Sequence, residues 1–123
     1  MNKSALFLAI ILFACTTFGA RQPLVDFTRD IKPILSDRCY RCHGPDAENR
    51  EAGLRLDVRA EALAALSLTD GQIIDPGKPH RSELYLRITE SDPDLKMPPA
   101  DSKLTLIPSE IELIRRWIQQ GAE

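Results

Sequence analysis

Aromatic side chains are scarce: one Trp, two Tyr and four Phe make up 6% of the 123 residues. A chain of this length forms one small domain with a marginal core. So few large apolar side chains leave that core short of buried area. An excess of one charge is also missing. Lys plus Arg number 16 against 18 Asp plus Glu, a net charge of −2, so no basic surface argues for a nucleic-acid partner, and the scattered charges read as solvated faces. Acidic residues are not paired, and no nucleophile stands beside a base, which removes the usual signatures of a self-contained enzyme. Nothing repeats internally. The one sustained apolar run, Ala5 to Ala14, is too short to cross a bilayer comfortably. Behind Lys3 and ahead of small residues, it reads as a secretory signal over residues 1–20, followed by one domain over 21–123. The chain is therefore expected to be exported, to the periplasm. Leu12-Phe13-Ala14-Cys15 resembles a lipobox with a bulky Phe13. Membrane attachment would follow only if Cys15 were lipidated; otherwise Cys15 is discarded with the signal.

Against these absences stands Cys39-Tyr40-Arg41-Cys42-His43. A C-x-x-C-H run is the pattern of c-type haem attachment. Two intervening residues place both sulfurs on one side of a turn, where each can add to a haem vinyl group, and the adjacent histidine supplies the proximal iron ligand. A porphyrin also brings the apolar area that the sequence lacks, and export suits an attachment completed outside the cytoplasm. Zinc is the rival, but it wants four ligands and the only other histidine is His80. A thioredoxin-like redox motif should sit near a βαβ pattern, and none is present.

Met97 is the candidate sixth ligand. It is the only methionine after residue 20 and is followed by Pro98 and Pro99 in a polar loop, a poor place for a core gap-filler and a good one for a rigid strap. Met/His ligation raises the reduction potential. His80 is the alternative ligand, yet between Pro79 and Arg81 it reads as a solvated turn residue. Arg55 reads equally as a haem-propionate partner or a surface arginine. Pro45 is placed to buttress His43, whose Nδ1–H would then seek a backbone carbonyl.

Elsewhere the periodicity is helical. Phe27, Ile31, Ile34 and Leu35 share a face over Val25 to Arg38. Either Asp30 caps a helix that tolerates Pro33 in its first turn, or a longer helix kinks there. Arg59 to Leu66 is expected to be a helix with Leu63 and Leu66 inward, and Ser82 to cap a helix over Glu83 to Thr89. Ile111, Ile114, Trp117 and Ile118 form the clearest stripe, with Gly121 as its stop. That helix starts either with Pro108 at its first position or with a Ser109–Glu112 capping box. The fold class is all-α with long loops.

The order of these pieces resembles the class I cytochrome c fold, and more closely the planctomycete-type cytochrome c domain. The matching stretches are Phe27 with Asp30-Ile31-Lys32-Pro33-Ile34-Leu35, Cys39 to Gly44, and Gly53-Leu54-Arg55-Leu56-Asp57. Pro76-Gly77-Lys78-Pro79 with Ser82, Met97-Pro98-Pro99, and Trp117-Ile118 with Gly121-Ala122 complete them. The resemblance implies N- and C-terminal helices packed around one covalent haem c. It further implies a carrier of single electrons to and from a redox partner protein, such as a dehydrogenase or a respiratory acceptor. Relatives usually carry Thr at the position of Ile107, and often place this domain before larger ones. A haem-bearing subunit or split part of a larger exported oxidoreductase is thus the second expectation. A haem sensor or peroxidase with an open sixth site is the third.

Overall fold

Asp26 opens the first helical segment: its Oδ1 accepts the Arg29 N–H at 2.7 Å, while Asp30 Oδ2 accepts the Asp26 N–H at 2.9 Å. The computed structural model describes residues 19–67 and 71–123. Most of the expected leader, together with Cys15 and Asp70, lies outside them. Among the described residues the elements are helical, with isolated bridges and no strand, and no helix is long and apolar enough to cross a membrane.

Pro33 is accommodated by a wide turn. Phe27–Ile31 form a π-helical turn that runs directly into helix α1, Lys32–Arg38, and the Lys32 N–H reaches back to the Phe27 carbonyl. Proline, which has no N–H to offer, then sits in the first turn of α1. Pro33 thus stands in a first turn, as one expectation had it, but Asp26 rather than Asp30 is the cap, and a π-helical turn precedes the proline.

Helix α2 covers Arg59–Ala64 and buries Ala62. It is shorter than expected because Ala65 leaves helical geometry, and Leu66 is 69% exposed rather than inward. Helix α3, Glu83–Thr89, buries Leu84 and Ile88. Ser82 precedes it without capping it, because its hydroxyl is engaged with the loop before it. Helix α4, Pro108–Gln119, starts with Pro108 in its first turn. The Ile107 side chain has no oxygen to offer as a cap, and Glu110 Oε2 accepts the Ile107 N–H at 2.9 Å. Its end is a Schellman motif: Gly121 has φ 108°, its N–H meets the Ile118 carbonyl at 3.0 Å, and the Ala122 N–H meets Trp117 O at 2.9 Å.

Ile114, Trp117 and Ile118 bury the stripe of α4. The helix packs on the π-helical turn and on α3, with the Phe27 and Trp117 rings 5.6 Å apart at 39°. Ile31, Ile34, Leu35, Leu56 and Ile74 complete the core, which therefore sits behind the Cys39–His43 turn and holds it from one side.

Candidate functional site

Cys39 is the residue on which α1 ends: its N–H and that of Tyr40 both donate to the Leu35 carbonyl, at 2.8 and 2.9 Å. The Cys42 and His43 N–H groups then donate to the Cys39 carbonyl at 3.1 and 2.8 Å, which winds the motif into one tight turn. A Cβ on Gly44 would collide with the Tyr40 carbonyl, so only glycine lets the chain leave that turn.

The loop after Gly44 folds back to clamp what it left. Glu51 N–H donates to Cys42 O at 2.7 Å and Leu56 N–H to His43 O at 2.9 Å. The Nδ1 of His43 lies 3.3 Å from the Glu51 carbonyl oxygen. Such a contact fixes the ring and its tautomer and leaves Nε2 without a proton. The backbone carbonyl expected for Nδ1 is thus present. Arg50 pins the loop further, through Nε to Gly44 O and Nη2 to Pro45 O, both at 2.9 Å.

Cys39, Cys42, His43 and Met97 all line one cavity of about 330 Å³, within the usual range for cofactor pockets. Apolar walls come from Leu54, Leu56, Ile73, Leu84 and Ile88. Exposed Leu66 lies on the same cavity, so the leucine that departs from the expected core belongs to this wall. Burial pushes the Cys39 thiol up to about 12 and lowers His43 from the usual histidine range. A thiol held protonated is a poor exchange partner. Among the described residues, no three His, Cys, Asp or Glu side chains cluster to hold a metal ion directly. Zinc and thiol exchange therefore lose ground. The neutral imidazole is the form that ligates iron.

His80 and Arg55 lie elsewhere. His80 is not part of the cavity wall and stands edge-on to Tyr85, ring centroids 5.5 Å apart. Arg55 is a fork on Asp57, with Nε–Oδ1 at 3.1 Å and Nη2–Oδ2 at 2.6 Å. The arginines on the cavity are Arg38, Arg41 and Arg87, with Glu83 the one acid among its described lining residues. Glu83 and Arg87 stand at helical spacing, but that spacing does not tell which face meets the cavity. Arg38 Nε is buried with no hydrogen-bond partner. Two thiols, an imidazole, a thioether, apolar walls and three lining arginines suit an apolar iron macrocycle carrying carboxylates.

The comparisons agree with this reading. A family model, Planctomycete cytochrome C, matches residues 39–101, just over half of the chain. Over 57 residues the chain is 39% identical to hydrazine synthase subunit alpha of Kuenenia stuttgartiensis. That stretch is 46% of this chain and 7% of the relative, so the chain corresponds to a small part of that protein. No solved structure gives a significant match. With the matched residues including Cys39, Cys42, His43 and Met97 on one cavity, the chain belongs to the planctomycete cytochrome C family, whose haem c is bound covalently.

Proposed function

We propose that this protein is an exported mono-haem cytochrome of class I-like architecture that carries single electrons. Cys39 and Cys42 would form the thioethers, and His43 and Met97 would ligate the iron. One observation carries the proposal: Met97, far from the motif in sequence, lines the same cavity as Cys39, Cys42 and His43. When bound, the haem supplies an iron that cycles between Fe(II) and Fe(III). The chain does the rest. The Glu51 carbonyl orients the His43 ring, the apolar wall excludes water, and Arg38, paired with Glu110 at 3.5 Å, places a cation on the cavity wall. No proton needs to move.

A pyridine haemochrome spectrum on protein made with c-type maturation tests attachment; absence of covalent haem overturns the account. Met97→Ala is expected to abolish the low-spin six-coordinate spectrum, and an unchanged spectrum removes Met97 as ligand.

A second reading, a haem-bearing subunit of a larger exported oxidoreductase, is favoured by the match to a stretch of an enzyme subunit. It shares the redox chemistry and differs in assembly. Co-purification with a large exported enzyme supports it, and a monomeric carrier competent with small soluble acceptors counts against it.

A further inference from the structure

Pro98 and Pro99 have no N–H to donate, so the segment that presents Met97 has few ways to be tied down. Among the described residues, every hydrogen bond joining residues 95–99 to an α-helix goes to Arg87; the others are local, from Leu95 and Lys96 to the Asp92 carbonyl and from Ser102 to the Pro99 carbonyl. The Arg87 carbonyl accepts the Met97 N–H at 3.0 Å, and its Nη1 donates to the Leu95 carbonyl at 3.0 Å. The guanidinium is aimed by Glu83, one helical turn earlier, through Nε–Oε1 at 2.7 Å. The Arg87 and Glu83 side chains are 29% and 18% exposed, and both residues line the haem cavity.

Packing does not fully enclose the strap. A second cavity of about 330 Å³ adjoins it, and Ile88, Met97, Pro98 and Leu104 are common to both cavities. Met97 and Pro98 thus border open space in two cavities, and the ties that join the strap to a packed α-helix are those to Arg87.

We propose that Arg87, oriented by Glu83, is the positioning residue that latches the Met97 strap across the haem cavity. Loss of the latch lets the strap retreat toward the second cavity and opens the sixth site of the iron to small ligands. The ligand-access half of this inference rests on Met97 ligation; the latch itself does not.

The test uses the haem-loaded chain with Arg87→Met, Arg87→Lys, Glu83→Gln and a control. Arg115→Met is the control, since it breaks a comparable pair on α4 (Arg115–Glu112, 2.7 Å) outside the cavity. Two readings are taken: hydrogen exchange of the Met97 amide by NMR, and the affinity of the ferric protein for imidazole. Losing a charge-assisted hydrogen bond should change each by about tenfold or more. Arg87→Met is expected to raise both, Arg87→Lys to restore part, and Glu83→Gln, which keeps the acceptor, to stay near the parent. Arg115→Met should match the parent. Parent-like values for Arg87→Met in both readings overturn the latch. If Met97→Ala keeps the parent spectrum, ligation by Met97 fails, and the latch is then judged by amide exchange alone: faster exchange upholds it and unchanged exchange overturns it. Should Arg87→Met not fold, Glu83→Ala frees the guanidinium and carries the same two readings.

Discussion

Ser82, fully buried, accepts the Asp75 N–H on its hydroxyl oxygen at 2.9 Å. The same hydroxyl donates to the Lys78 carbonyl at 3.0 Å, and the Asp75 carbonyl lies 3.3 Å away. One side chain thus closes the Asp75–Ser82 loop, whose Gly77 N–H is in turn bonded to Ile118 O at 2.7 Å. Ser82→Ala leaves the Asp75 N–H without its acceptor. A loss of about 1–3 kcal/mol is expected, read as a lower urea midpoint with unchanged slope.

Gly44→Ala should be worse than its single methyl suggests, because the clash is with the Tyr40 backbone rather than with a side chain that can move. Forced shifts of this kind cost about 1–3 kcal/mol. They fall on the turn that carries both cysteines, so the yield of covalent haem should drop as well. Haem stain per unit of purified protein measures this, and full occupancy would contradict it.

Ile107→Thr should stabilise the protein. The side chain is 55% exposed, so little burial is lost, while a hydroxyl gains the first-turn N–H groups of α4. A gain of about 1 kcal/mol in unfolding free energy is expected, measured by chemical denaturation.

Asp30 should give the acid limb of stability a recognisable component. Hydrogen bonds from the Arg29 guanidinium and the Asp26 N–H hold its carboxyl at about 2, below the ordinary value of 3.8. The unfolded chain therefore binds the proton first. The contribution is complete above the ordinary value and disappears as the pH falls through about 2. Asp30→Asn should flatten the loss of stability across that window; an unaltered acid limb in urea titrations at stepped pH would contradict this.

His80→Ala should leave the haem spectrum as it is, since His80 stands against Tyr85 and outside the cavity wall. Met97→Ala should not. The pair of visible spectra, oxidised and reduced, separates the two candidate ligands.

What was legible in the sequence was whatever depends on spacing. The C-x-x-C-H turn, the α4 stripe and the Gly121 stop each follow from local geometry, and each is found where the pattern put it. The π-helical turn ahead of Pro33 was not legible, because proline announces a missing N–H but not how the helix will absorb it. Leu66 misled because its spacing continues α2 after the backbone has left it. Arg87 and Arg38 were missed for a different reason. Arg87 stands at helical spacing from Glu83, but the contact that matters here is with a carbonyl eight residues on, and the partner of Arg38 is a carboxylate 72 residues away.

The end of α4 gathers both extremities of the described fold. Gln120 Oε1 accepts the Val25 N–H, and the Arg116 and Gln120 side chains both donate to Pro23 O. Trp117 Nε1 donates to Glu123 O. Entry and exit therefore share one pole of the domain. A polypeptide threaded through it would arrive and depart on the same side, with the cytochrome domain hung between them as a pendant. Attaching it to a larger machine would leave the core undisturbed.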